Sequence, residues 1–395
     1  MVDYNQKTDF IPHNIVKLDN ALAARSPICF GYDIQAQFTE VFEQATHGLP
    51  PDKLFLLTDH SIFDLFGKAF FGTLSERFPN TERYFLPKGE ACKTFEVLQK
   101  LCNHLVEKGV SKQSVLIAFG GGSIGNITGL AAGLIFRGIR FIEVPTTLSH
   151  QTDGVLSNKQ AVNGNYGKNH FGLYHAPIFS WIDTRYPETE PLRFKKSGIV
   201  EGIKNGLIDQ KNFIQYLEKA IKKDGDYSPQ QLTDLCFKLV ISKLEILKKD
   251  PTEKRYGIIL EYGHTFAHAI EWLAEGALAH GEAVSIGMKI AAELSARLGY
   301  IDSHALALHY RLIDELLNLK PRFPGNIEPA SILKTMYVDN KKTGTDVRYV
   351  LLSGIGRCIK GNGDYLISVD RKLVQSVIEK FINTYQQTFF TGDDR

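Results

Sequence analysis

The sequence predicts an α/β chain, with a parallel-sheet domain in its first half and a mainly α-helical domain in its second. Residues 53–59 (KLFLLTD), 114–122 (SVLIAFGGG) and 140–147 (RFIEVPTT) are short apolar runs separated by helical stretches. That alternation is the pattern of parallel strands joined by crossover helices. From about Pro187 long amphipathic segments take over, at 230–249, 258–273, 282–298 and 303–319, with few strand-like runs before RYVLLSGIG. A chain of 395 residues is also long for one core. The expected domains are therefore 1–186 and 187–395.

Composition excludes several function classes. With 43% hydrophobic and 23% charged residues the balance is that of an ordinary globular protein. A net charge of +2 without any basic block gives no footprint for nucleic acid or a membrane surface. Cysteines 29, 92, 102, 236 and 358 form no CxxC pair, so neither a disulfide framework nor a cysteine metal cluster is expected. The N-terminus has no signal-peptide pattern, and the longest apolar run, at 129–136, is too short to span a bilayer. The expected compartment is the cytoplasm. No internal repeat is present.

FGGGSIGN, residues 119–126, follows an apolar strand and opens a helix. Free N–H groups at a helix start can meet a pyrophosphate, and Gly120, Gly122 and Gly125 satisfy GxGxxG. Alone that pattern equally describes a tight strand-to-helix turn. An acidic partner for the ribose is expected about 20 positions later. Glu143 is near that distance, but on a strand.

LEYGHTFAHAIEWLAEGALAHGEAVSIGM, residues 260–288, places Glu261, His264 and His268 at i, i+3 and i+7 of one predicted helix, with His280 following. Such positions share a face. Polar groups left unpaired among Phe266, Ile270 and Trp272 would cost several kcal/mol by transfer estimates. Histidines with a carboxylate suit zinc or a similar divalent ion.

Together GGGSIGN, FRGIRFIEVPTTLSHQTDGVLSNKQAVN, GKNHFGLYHAP, EGIKNGL, EYGHTFAHAIE and HGEAVSIGM resemble the sugar phosphate cyclases related to 3-dehydroquinate synthase, over about residues 55–360. The resemblance implies a Rossmann-like domain and a helical domain with NAD in the cleft, a zinc or cobalt ion, and a homodimer. It puts Glu201, His264 and His280 at the metal-ligand positions. Asp59, Glu90 and Lys93 fall where the adenosine end of NAD is held, and displace Glu143. Gly120, Gly121, Gly122, Ser123, Asn126, Thr146 and Thr147 match the positions around the pyrophosphate and nicotinamide, with Asp153 and Lys168 beside them. Asp153, Lys159, Asn169, Lys204 and Lys243 match polar substrate positions. Arg137, Asn169, His268 and Lys341 match the phosphate pocket, Arg137 reaching the neighbouring subunit's site. Guanidinium, ammonium and imidazole donors suit phosphate oxygens.

Dehydroquinate synthases hold a substrate carboxylate with an Arg and an Asn in a pattern resembling GLRxLLNxGH. This chain reads YGIILEYGH, with Gly257 at the Arg position and Glu261 at the Asn position. Loss of charge-assisted bonds worth roughly 1.5–3 kcal/mol each, with an added negative group, opposes a carboxylate. The glutamate resembles that of the inosose-forming members, which implies glucose 6-phosphate as substrate. The implied course is transient oxidation at carbon 4 by NAD, phosphate loss, hydride return, ring opening and aldol closure. Lys159, Glu261, His268 and Lys204 are the expected proton-transfer and hydrogen-bonding groups. Dehydroquinate synthase or another cyclase, and a metal-dependent polyol dehydrogenase, are the competing readings.

Overall fold

The computed structural model describes residues 15–19, 26–325, 327–337, 346–361 and 363–390. These form two compact units. The first holds residues up to Gly164, Asn169–Pro191 and Tyr227–Leu244; the second holds Asn165–Lys168, Leu192–Asp226 and the chain from Glu245. The stretch Tyr227–Leu244, helical as expected, packs in the first unit although its composition groups it with the second half.

The first unit is built on strands β1 (Val16–Asp19), β2 (Pro27–Gly31), β3 (Leu54–Thr58), β4 (Thr81–Phe85), β5 (Val115–Gly120), β6 (Arg140–Pro145) and β9 (Ser180–Asp183), in the order β1-β2-β9-β6-β5-β3-β4. The hairpin strands β7 (Lys159–Gly164) and β8 (Gly167–Tyr174) pair separately. All neighbours in the large sheet are parallel except β1 with β2. Every residue of β3 and β5 is buried, as in a sheet covered on both faces. The period of two then sorts side chains between two cores. Leu54, Leu56, Val115, Ile117 and Phe119 join one with Phe38, Phe70 and Trp181. Phe55, Leu57, Leu116 and Ala118 join the other with Leu98, Leu101 and Ile127. Neighbouring β3, β5 and β6 end together, so Asp59, Gly120 and Thr146 share the carboxyl edge of the sheet, where ligands of such folds bind.

The second unit is mainly helical, including Leu192–Ile208, His264–Leu273, His280–Arg297 and Ser303–Tyr310. Two predicted helices are corrected. The 258–273 segment is a short 3-10 turn, Tyr256–Glu261, and then a separate helix from His264, because Gly263 is left-handed with φ +77°. The 303–319 segment keeps α geometry only to Tyr310 and widens into π turns over Arg311–Leu316.

Close backbone approach fixes the packing. A Cβ on Gly281 would stand 2.1 Å from Ser197 O, and one on Gly287 would stand 2.2 Å from Gly263 O. No heavier residue fits either place without displacing main chain. Gly281→Ala is therefore expected to lower stability by about 1–3 kcal/mol through overpacking. Gly72→Ala, in the helix Lys68–Arg77 with open space around it, is expected to raise stability by about 0.5–1 kcal/mol. Thermal unfolding of the two variants beside the parent checks both signs.

Candidate metal and dinucleotide sites

Three helices of the second unit bring Glu201, His264 and His280 together. Glu201 lies within Leu192–Ile208, whereas His264 and His280 are the first residues of their helices. One ligand atom from each lies within 4.8 Å of the others. His264 Nε2 and His280 Nε2 are each 3.5 Å from Glu201 Oε1. Two bonds of about 2.0–2.2 Å meeting at a tetrahedral angle set ligand atoms roughly 3.4 Å apart.

Electrostatics favour the same reading. His264 Nδ1 lies 3.2 Å from Tyr262 O, and His280 Nδ1 lies 3.0 Å from Glu271 Oε2. Each ring can donate through Nδ1 and present the Nε2 lone pair to Glu201, the tautomer a metal-bound imidazole needs. Glu201 is 1% exposed. Lys204 Nζ abuts its Oε2 as an ion pair, yet among the described residues neither oxygen has a hydrogen bond of good geometry. Burial alone would raise the Glu201 carboxyl; Lys204 and His264 outweigh it and hold the group well below the usual carboxylate range. Burial likewise opposes charge on His280, but Glu271 and Glu201 push that imidazole up to about 10. A centre that draws protons this strongly is one that a cation suits, and the donor set fits a divalent ion.

The polar stripe lies one turn later than the sequence suggests. Glu261 ends the 3-10 turn ahead of Gly263, so it does not share a helix with His264 and His268. The helix instead carries His264, His268 and Glu271 at i, i+4 and i+7. The His264 and His268 rings are perpendicular with centroids 5.4 Å apart. Glu271 was missed although HAIE follows EYGHTFA directly. It is buried, accepts from His280, and meets Lys168 Nζ through Oε1 at 2.6 Å. Lys168, expected near the cofactor and substrate, stands behind His280 through Glu271.

In the first unit Gly120 ends β5 and Gly121 precedes the helix Gly122–Leu134, whose start has no capping side chain. That leaves its first N–H groups available to an anion. Nothing lies within 4 Å of a Cβ placed on Gly122, so the backbone is approachable. Ser123 and Asn126 sit on this first turn, where Asn126 Nδ2 donates to Gly122 O at 2.9 Å. Thr147 caps the helix Leu148–Thr152 directly after Thr146. Asp59 caps the turn after β3, accepting from Ser61 N at 2.8 Å and Ile62 N at 3.1 Å.

Glu90 and Lys93 are each tied to a neighbouring hairpin. Asn163 Nδ2 donates to Glu90 Oε2 at 2.9 Å, and Lys93 Nζ meets Asn169 Oδ1 at 2.5 Å. Asn169 is left-handed, with φ +55°, and its N–H is held by Asn163 Oδ1 at 3.0 Å. Asp153 Oδ1 pairs with Lys243 Nζ at 2.6 Å. Lys159 opens β7 and is half-buried. Arg137 is exposed and left-handed, with φ +68°. Glu143 lies buried inside β6, away from any place a ribose could reach. Lys341 lies outside the described residues.

Residues 83–197 match the model of the 3-dehydroquinate synthase N-terminal domain, and residues 198–342 that of the C-terminal domain. The chain belongs to the 3-dehydroquinate synthase family. A relative in this family, the 2-deoxy-scyllo-inosose synthase of Micromonospora echinospora, is 35% identical over 333 residues, 83% of each chain. A crystal structure of 2-deoxy-scyllo-inosose synthase with carbaglucose-6-phosphate, NAD+ and Co2+ superposes with a TM-score of 0.82 at 32% identity, covering 93% of this chain and 99% of that one. A 2-epi-5-epi-valiolone synthase from Streptomyces hygroscopicus, TM-score 0.76 at 22% identity over 92% and 97%, shares the fold.

Glu271→Gln keeps the size of the side chain but weakens its hold on the His280 N–H. Metal affinity is expected to fall by about 10–100-fold. Competition with a chromophoric chelator measures it, and an unchanged constant would remove Glu271 from this role.

Proposed function

We propose that the chain is an NAD- and divalent-metal-dependent sugar phosphate cyclase, a phosphate-eliminating lyase that converts glucose 6-phosphate to 2-deoxy-scyllo-inosose. The observation that carries the reading is the convergence of Glu201 with two imidazoles whose Nε2 atoms both face it. The name and bound ligands of the structural neighbour support it, as do several inosose synthases at 33–36% identity. Residues 1–186 serve as the NAD domain and 187–395 as the metal and substrate domain.

When bound, NAD accepts and returns a hydride and the zinc or cobalt ion polarises the oxygen being oxidised. Glu201, His264 and His280 hold the ion, with three protein ligands leaving positions for substrate. Asp59, Glu90 and Lys93 take the adenosine end of the dinucleotide; Gly120, Gly121, Gly122, Ser123, Asn126, Thr146 and Thr147 take its centre. Asp153, Lys159, Asn169, Lys204 and Lys243 orient the sugar hydroxyls, and His268, Asn169, Arg137 and Lys341 receive the phosphate. Lys159, Glu261, His268 and Lys204 hold or move protons at the sugar oxygens. The protein acts in the cytoplasm as a homodimer, to which Arg137 contributes across the interface beside the exposed Leu134 and Phe136. No helix among the described residues is long and apolar enough to cross a membrane.

The loop before the first histidine argues against a carboxylate substrate. Gly257 N donates to Asp250 Oδ2 at 2.9 Å, and a Cβ at that position would stand 3.0 Å from Asp250 O. A side chain there would crowd Asp250 O and the Glu253 side chain, and Glu261 supplies a hydrogen-bond acceptor suited to a neutral hydroxyl.

Protein supplied with NAD and cobalt or zinc is expected to release phosphate from glucose 6-phosphate and form the deoxyinosose without accumulating NADH. Glu261→Gln is expected to lower kcat/KM for glucose 6-phosphate by roughly tenfold or more, the worth of one hydrogen bond to a charged group. Turnover restricted to 3-deoxy-arabino-heptulosonate 7-phosphate, or NADH accumulating with a polyol, would defeat the assignment.

A further inference from the structure

Behind the glycine turn lies a buried acid–imidazole pair that no step above uses. His150 belongs to the helix Leu148–Thr152 and is 3% exposed; Glu143 lies in β6 and is 2% exposed. His150 Nδ1 is 3.2 Å from Gly120 O, a carbonyl that also accepts from Thr146 N at 3.0 Å. A carbonyl can only accept, so Nδ1 carries the hydrogen and Nε2 bears the lone pair. Nε2 lies 3.8 Å from Glu143 Oε2, a close approach without a direct hydrogen bond. Glu143 Oε1 accepts from Gln160 Nε2 at 3.2 Å, whereas Oε2 has no hydrogen-bond partner among the described residues.

The imidazole is also a wedge. A Cβ on Gly125 would stand 2.5 Å from His150 Cε1, and one on Gly154 would stand 2.9 Å from Cδ2. The ring fills the space that two glycines leave open. Gly129, one turn beyond Gly125, makes the same room for Gln160, whose Cδ would lie 2.4 Å from an added Cβ. The helix Gly122–Leu134 therefore seats against β6 and β7 through polar side chains set into glycine gaps, at the place where its N-terminus would receive a pyrophosphate.

We infer that Glu143 and His150 are positioning residues for the dinucleotide: the His150 ring fixes the Gly120 carbonyl and the Gly125 backbone, and the Glu143 carboxyl stands beside its Nε2. This inference rests on the glycine turn being the NAD site. Burial pushes the Glu143 carboxyl up to about 8 and the His150 imidazole down to about 4, so near neutral pH both are uncharged. The acid form of Glu143 is present below that range and is lost as pH rises through it. The charged groups acting on His150 are Asp153 and Lys93. From β7 Gln160 faces Glu143, while β5 and the helix Gly122–Leu134 carry no ionisable side chain. Asp183 of β9 is turned to the N–H groups of Asp33 and Ile34.

The test is calorimetric titration of the full chain with NAD, alongside initial rates. Loss of one hydrogen bond and the wedge in H150A is expected to raise the NAD Kd and KM by about tenfold. The sugar phosphate KM and kcat at saturating NAD should change less than about threefold. E143Q, which keeps a neutral polar group of the same size beside Nε2, should bind NAD like the parent near pH 7, whereas E143L should not. Between about pH 7 and about pH 9 the parent's Kd should rise and that of E143Q should stay level. The pH comparison stands even where H150A fails to fold. A parent Kd that tracks E143Q across this range, or H150A with a lower Tm but unchanged NAD affinity, overturns the positioning role. A parent that binds no NAD overturns the cofactor reading itself.

Discussion

A buried carboxylate facing two imidazole Nε2 atoms is the constraint from which the second unit follows. Glu201 is enclosed by three helices, and two of these begin at the histidines that face it. Such a cluster is costly unless a positive charge stands among the donors, and its neighbours are arranged to supply and orient that charge. Tyr262 O and Glu271 turn the rings, Lys204 flanks the carboxylate, and Lys168 backs Glu271. Glycines 263, 281 and 287 let the helices approach closely enough for the three donors to converge.

The first unit offers a different kind of site, in which a pyrophosphate would meet little side-chain charge. Its candidate contacts stand at the carboxyl ends of adjacent parallel strands, where loop backbone and an uncapped helix start offer N–H groups in place of lysines. The few charged side chains there are already engaged: Asp59 with the N–H groups after β3, Glu90 and Lys93 with Asn163 and Asn169. Engagement of this kind lowers the entropy lost when a ligand arrives, since the groups are held in advance.

Much of this was legible in the sequence, because apolar runs of parallel strands and a glycine turn leave local signatures. The donor set was legible too, although Glu201 came from family register rather than from any pattern around it. What misled was periodicity carried across Tyr262 and Gly263: an i, i+3, i+7 count assumes an unbroken helix, and one left-handed glycine resets it. Glu271 was hidden by the same error, since its face is apparent only once the helix is started at His264. Pairings such as Asn163 with Glu90, or Asp153 with Lys243, join residues 73 and 90 positions apart. No spacing rule reaches that far.

Gly257 carries a consequence for how this scaffold can change its diet. Its N–H is one of several strands of a knot around Asp250, which also gathers the backbone of Arg255 and Thr252. An arginine introduced there would keep that N–H but set its Cβ 3.0 Å from Asp250 O, so the knot would have to shift before the new guanidinium met any acidic sugar. Drift toward such sugars is thereby coupled to the 250–257 loop as a whole rather than to one side chain.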